Sequence, residues 1–187
     1  VQTCALPICI IGLSLTFIPV ALILSGCTTD GGISNKSQTS TSKGSTVSTD
    51  NQSAGSVDTL GVKVSGPTTA APTMVVPAGV TTSKLIIDDI VTGDGASVES
   101  TSTLTFHYTL YAGSTGKLVE TSWTSGQPAT FALAQVIPGW QQGMLGMKTG
   151  GRRLLIIPAD LGYGANGAGP IGKNETLVFV VDLVKIS

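Results

Sequence analysis

Apolar positions divide the chain into four stretches of different character. Residues 9–24 are mainly apolar, interrupted at Pro19, and no charged residue precedes Asp30. Residues 28–55 are Ser, Thr, Gly, Asn and Gln with almost no apolar side chain. Between 57 and 80 apolar residues return thinly, as Val62, Val64, Met74, Val75 and Val76, among Pro67, Pro72 and Pro77. Those prolines exclude a helix, and the alternation Val62-Lys63-Val64 predicts a short added strand. Beyond residue 84 strand patterns dominate. Residues 84–91 are rich in Ile and Val and end at the turn Gly93-Asp94-Gly95. Residues 103–111 alternate Thr with apolar residues; 117–121 and 129–133 read as short strands; 152–157 and 176–186 are strongly β. One helix is predicted, from Pro138 to about Gly146. Proline suits a first helical position, and Trp140, Met144 and Met147 recur at i, i+4 and i+7. Gly143 and Gly146 are poor helix formers, so packing must hold this helix. The fold class is therefore α+β: an antiparallel sheet of five to six strands wrapped around one short helix.

The front of the chain reads as an export segment. A run over 9–24 is short for a hydrocarbon core of ~30 Å and suits the apolar centre of a signal peptide. Leu24-Ser25-Gly26-Cys27, followed by a polar tract, resembles a bacterial lipobox. That resemblance implies acylation of the Cys27 thiol and cleavage before it, and two or three acyl chains anchor a protein stably. Residues 28–55 cannot bury enough apolar surface to offset their ordering entropy, so they are expected to act as a flexible spacer. The expected organisation is a signal peptide over 1–26, a lipidated cysteine and linker over 27–56, an extension over 57–83, and a folded domain over 84–187. The expected location is the extracytoplasmic face of the cell membrane. Residues 1–8 carry neither Met nor a basic residue, so they are expected not to be the natural start, and Cys4 and Cys9 are expected to have no function.

Composition removes several function classes. The 187 residues include 10 Lys+Arg and 11 Asp+Glu, a net charge of −1. Nucleic-acid binding is not expected without a clustered basic surplus. All three cysteines lie at or before Cys27 and His107 is the only histidine. A disulfide framework, a cysteine-based metal site and a di-histidine zinc site are thereby excluded from the domain. No cofactor and no metal are expected. Gly162-Tyr163-Gly164-Ala165-Asn166-Gly167 fits G-x-G-x-x-G, but Gly169-Pro170 follows where a dinucleotide site needs a helix. His107, between Phe106 and Tyr108, is expected to be structural. Arg152-Arg153 is expected to be one solvated and one strand-edge charge. Asp88-Asp89 lacks the clustered ligands of a calcium loop.

A series of motifs then falls in a specific order: Phe106-His107-Tyr108, Gly126-Gln127-Pro128-Ala129-Thr130-Phe131, Gln135-Val136-Ile137-Pro138-Gly139-Trp140, Gly150-Gly151-Arg152-Arg153, Ile157-Pro158-Ala159-Asp160-Leu161-Gly162-Tyr163-Gly164, and Glu175-Thr176-Leu177-Val178-Phe179-Val180-Val181-Asp182-Leu183. Over about residues 85–186 this resembles the FKBP-type peptidyl-prolyl cis-trans isomerases, especially the FKBP lipoproteins of actinobacteria. The resemblance implies an aromatic pocket for a proline ring, with Trp140 as floor and Tyr108 and Phe179 as walls. It implies that Val136 and Ile137 edge the pocket, that the Ile137 N–H and the Tyr163 hydroxyl contact substrate, and that Phe131 and Ile171 support and overhang the rim. Val119-Glu120 stands where the family usually has Phe-Asp, Ala129 where it has a rim aromatic, and Ile171-Gly172-Lys173 where it often has Ile-Pro-Pro. The implied partners are proline-containing polypeptides, macrolide inhibitors bound more weakly than usual, and a membrane through the lipid anchor. The protein is expected to be a monomer. The alternative is a membrane-anchored chaperone or proline-binding module with little turnover.

Overall fold

The computed structural model describes residues 55–187. The apolar segment, the lipobox-like Cys27 and the spacer up to residue 54 lie outside them, and the last expected linker residue, Ser56, already belongs to a strand. Ten-residue strands form the centre of the fold: β5 (Thr103–Ala112) and β9 (Leu177–Ile186) pair antiparallel from end to end. Around them stand β4 (Ile86–Val91), β6 (Lys117–Thr121), β7 (Ala129–Ala132) and β8 (Arg152–Ile157). The six-stranded sheet runs β4-β8-β9-β5-β6, and β7 also pairs with β5. β6 takes Thr109 to Ala112 of β5 and β7 takes Thr103 to Phe106, so the two share one edge.

The one α-helix among the described residues, α1 (Pro138–Gly143), is shorter than the apolar spacing predicts. Met144 closes it, its N–H bonded to the Trp140 carbonyl, and the chain continues as a turn in which Gly146 has φ +73°. Met144 and Met147 are still buried, but from that turn. The glycines that weaken the helix let it lie close to the sheet. A Cβ on Gly139 would stand 2.3 Å from Ile157 Cγ2, and one on Gly143 2.8 Å from Leu155 Cδ2.

Alternation fails in β8, whose six residues are all buried, which means that both faces are covered. On the helix side Leu155, Ile157, Leu177, Phe179 and Val181 join Trp140, Met144 and Met147. On the other side Leu154, Ile156, Val178 and Val180 pack with Val62, Val64, Val76 and Val80. The residues before 80 thus supply a second core. They form three strands where the alternation predicts one: β1 (Ser56–Thr59), β2 (Val62–Ser65) and β3 (Thr73–Val75), in that order in a second sheet. Leu60 and Gly61, at φ +53° and +75°, turn β1 into β2. A two-residue hairpin loop needs positive φ, and leucine gives no sign of it in the sequence.

The arginine pair departs from its expected solvated setting. Arg152 is 0% exposed and Arg153 6%. Arg152 donates to both oxygens of Asp182, at 2.6 and 3.0 Å, and to the Gly66 and Ala70 carbonyls. It joins the two layers. Arg153 donates to both oxygens of Asp89 and to the Gly143 and Leu145 carbonyls at the end of α1. Those last carbonyls have no partner within the helix, and a cation suits them.

Candidate functional site

Strand periodicity builds the first wall. Phe106, Tyr108 and Leu110 alternate along β5 and face α1. Leu110 lies opposite Phe179 on β9. Trp140 rises from α1 between them. Its ring centroid is 5.3 Å from Phe179 with planes at 87°, and 6.3 Å from Tyr108 at 84°. Both are edge-to-face arrangements that aromatic pairs favour. Trp140 and Phe179 are buried, whereas Tyr108 is half-buried. The result is an aromatic cluster centred on Trp140, with Tyr108 and Phe179 set edge-on against it.

Half-buried side chains complete the surround. Phe131 on β7, Val119 on β6, Val136, Ile137 and Tyr163 all pack against the same core, and Ile171 belongs to it at 9% exposure. Glu120 is exposed on β6, opposite Leu110. The apolar and aromatic residues of the expected site in the domain thus share one core, and Glu120 lies near Tyr108. Cys27 lies outside the described residues.

The rim segment has a defined reason for its shape. A short turn over Leu133–Gln135 leads to Ile137, whose extended backbone caps α1 and whose carbonyl accepts the Trp140 and Gln141 amides. Gln141 Nε2 donates to the Val136 carbonyl at 2.8 Å. The Ile137 N–H donates to no protein acceptor among the described residues, so it is available to a ligand carbonyl.

Both pocket tyrosines are held in the protonated form. Burial pushes the Tyr108 hydroxyl well above its usual range, and the nearby Glu120 carboxylate adds to it. Burial, with Glu120 again adding, raises Tyr163. Each is therefore a hydrogen-bond donor at neutral pH. Burial lowers His107, which is neutral there. Its Nδ1 lies 3.0 Å from Ser122 Oγ, which accepts the Tyr108 N–H at 2.9 Å, and its ring stacks on Trp123 at 4.0 Å. The histidine thus braces the strand behind Tyr108. Among the described residues no group of three His, Cys, Asp or Glu could hold a metal ion.

Two contributors are missing from the expected set. Phe106 supports the floor from below, its centroid 4.7 Å from Trp140, 6.0 Å from Phe131 and 6.1 Å from Tyr108. Its position two residues before Tyr108 is the sequence signal for that shared face. Gln141 pins the rim through the Val136 carbonyl five residues before it, and no pattern in the sequence marks that bond.

Residues 95–184 match the family described as FKBP-type peptidyl-prolyl cis-trans isomerase. An FK506-binding protein of Streptomyces anulatus is 49% identical over 114 residues, which are 59% of this chain and 92% of that protein. The chain belongs to the FKBP-type peptidyl-prolyl cis-trans isomerases. A probable FK506-binding protein of Corynebacterium glutamicum is 40% identical over 113 residues, 60% of this chain and 96% of that one. The crystal structure of FkpA from Escherichia coli is similar with a TM-score of 0.53 and 36% identity, over 58% of this chain and 51% of that one. The FKBP match takes in every aromatic residue of this cluster. The β1–β3 sheet and β4 precede it.

Proposed function

We propose that this cluster lines a recess that isomerises X-Pro bonds of exported polypeptides by drying and twisting the amide. The observation that carries this reading is Trp140 with Tyr108 and Phe179 set edge-on against it. The barrier to X-Pro rotation, ~18–20 kcal/mol, comes from amide resonance. No covalent bond breaks, so no nucleophile is required. Water stabilises the dipolar planar amide, and an aromatic recess replaces that water with apolar surface. The twisted amide is less polar than either planar isomer and is held better there, which is differential binding of the transition state. The Ile137 N–H and the Tyr163 hydroxyl would each bond a substrate carbonyl and hold the peptide in a turn.

This reading makes Tyr163 a direct substrate contact. Tyr163→Phe should lower kcat/KM about tenfold, the worth of one hydrogen bond in a dry site, with the fold intact. Because both tyrosines titrate above their usual range, parent activity should be level from about pH 7 to about 9. Catalysed exchange of a short prolyl peptide, followed by NMR across that range, checks both. Equal rates for parent and variant would remove Tyr163 from the site.

Action on exported proteins rests on Leu24-Ser25-Gly26-Cys27 and the polar spacer after it. Cys27 is the acylated residue in this reading, and the domain works at the outer face of the membrane. Mass spectrometry of the membrane-extracted protein should find an N-terminus at Cys27 that carries acyl chains, and Cys27→Ser should carry none, with prolyl exchange of the domain unchanged. A parent protein without acyl chains on Cys27 would contradict the lipid anchor.

A further inference from the structure

Residues 162–176 carry Tyr163 and Ile171 between β8 and β9, with a short helical turn at Gly164–Asn166 and paired backbone hydrogen bonds between Ala168 and Ile171. Three adjacent residues at its end tie this loop to the rest of the fold. The Asn174 N–H donates to the Gly164 carbonyl at 2.9 Å, beside Tyr163, and Asn174 itself sits at φ +54°. Glu175 uses both carboxylate oxygens on one residue: Oε1 accepts the Ser114 N–H at 2.8 Å and Oε2 accepts the Ser114 hydroxyl at 2.6 Å. The Thr176 carbonyl accepts the Gly113 N–H at 2.8 Å.

The partner of these contacts is the turn between β5 and β6, and β6 carries Val119 and Glu120. That turn is itself held from behind, since the Gly113 carbonyl accepts the Gly79 and Val80 amides at 3.0 and 2.9 Å. A Cβ on Gly113 would stand 2.4 Å from the Val80 carbonyl oxygen, so the approach is close. The turn is a fixed point and the loop is the part that could move. Glu175 is the one charged side chain joining them among the described residues. Charge-assisted bonds of this kind are stronger than neutral ones.

We propose that Glu175 is a positioning residue of the isomerase: it locks the Tyr163 loop to the β5–β6 turn and so sets the distance between the Tyr163 hydroxyl and the rim that carries Glu120. This rests on the reading of the recess as the catalytic pocket. Glu175 touches no substrate. Its effect passes through Asn174 and Gly164 to Tyr163.

The test uses the full chain and the variants Glu175→Gln, Ser114→Ala, Tyr163→Phe and Glu175→Gln/Tyr163→Phe. Amide hydrogen exchange at Ser114 and Asn174 reads the clamp, and kcat/KM for a prolyl peptide reads the pocket. Glu175→Gln should speed exchange at both amides about tenfold, since a charge-assisted bond is lost, with little change in Tm. It should lower kcat/KM about fivefold, and Tyr163→Phe should then cost less than about twofold more, because coupled residues are not additive. Ser114→Ala, which removes one of the two bonds, should show a smaller loss of the same kind. Unchanged amide exchange in Glu175→Gln, or independent multiplying effects of Glu175→Gln and Tyr163→Phe, overturns the proposal. A parent chain without catalysis overturns the pocket reading instead, and the amide exchange still decides whether the clamp exists.

Discussion

Trp140→Ala should cost the protein both stability and turnover. The side chain is 5% exposed and meets Phe106, Phe179 and Tyr108 at centroid distances of 4.7, 5.3 and 6.3 Å. Truncation leaves a cavity ringed by three aromatic residues that β5 and β9 hold in place, so little collapse can fill it. Burying less apolar surface and keeping the void together should destabilise by ~3–5 kcal/mol. The same void admits water under the substrate amide. If that removes ~2–3 kcal/mol of transition-state stabilisation, kcat/KM falls about 30-fold to 160-fold. Trp140→Leu separates the two effects, because it fills more of the volume but offers no flat floor. Its urea midpoint should recover substantially towards that of the parent while its exchange rate stays low. Parent-like turnover in Trp140→Leu would show that the floor is packing alone.

Arg152→Met should be about as damaging to stability, for a different reason. Arg152 is fully buried, with Asp182 and two carbonyls of the 66–70 segment as partners. Removing it leaves Asp182, 3% exposed, as a buried charge without its cation. Breaking such a pair typically costs ~3–5 kcal/mol, and the segment that joins β2 to β3 loses its anchor. The pH dependence identifies the mechanism. Burial pushes Asp182 up to about 6 against the lowering pull of Arg152. The native state therefore holds the Asp182 proton more tightly than the unfolded chain, and this group's contribution falls as pH rises from about 4 to about 6, then levels. Without Arg152 the native pKa rises further, so the variant keeps losing stability above about 6 where the parent does not. Urea unfolding at pH 5 and pH 8 should show a deficit that is larger at pH 8. Arg152→Met/Asp182→Leu should regain part of it, because an apolar pair of similar size carries no desolvation cost. A deficit independent of pH would mean that the lost backbone contacts, not the stranded carboxylate, set the cost.

The two residues differ in how far the sequence reveals them. Trp140 stands out because Val136-Ile137-Pro138-Gly139 surrounds it in an ordered series of motifs, and the alternation along 103–111 places Phe106, Tyr108 and Leu110 on one face. Position within a strand is a local property, and periodicity reads it directly. Arg152 is hidden because its partner is 30 residues away and the carbonyls it bonds are 82 and 86 away. Nothing local distinguishes a buried arginine from a solvated one. The unbroken run Leu154-Leu155-Ile156-Ile157 does carry the message that both faces of β8 are covered, but not what covers them. The Leu60-Gly61 hairpin and the early end of α1 depend on backbone angles that leucine and the glycines do not announce. Glu175 belongs to the same class: its ties to Ser114 span 61 residues.

The central claim is that the recess catalyses prolyl exchange. The most direct measurement is two-dimensional NMR exchange spectroscopy of an Ala-Leu-Pro-Phe peptide with a trace of the full chain. The account predicts cis/trans exchange well above the uncatalysed rate, which is tens to hundreds of seconds per event at 25 °C, with the Trp140 indole resonance shifted as the peptide binds. A folded chain that binds the peptide through Trp140 and leaves exchange at the uncatalysed rate would contradict it.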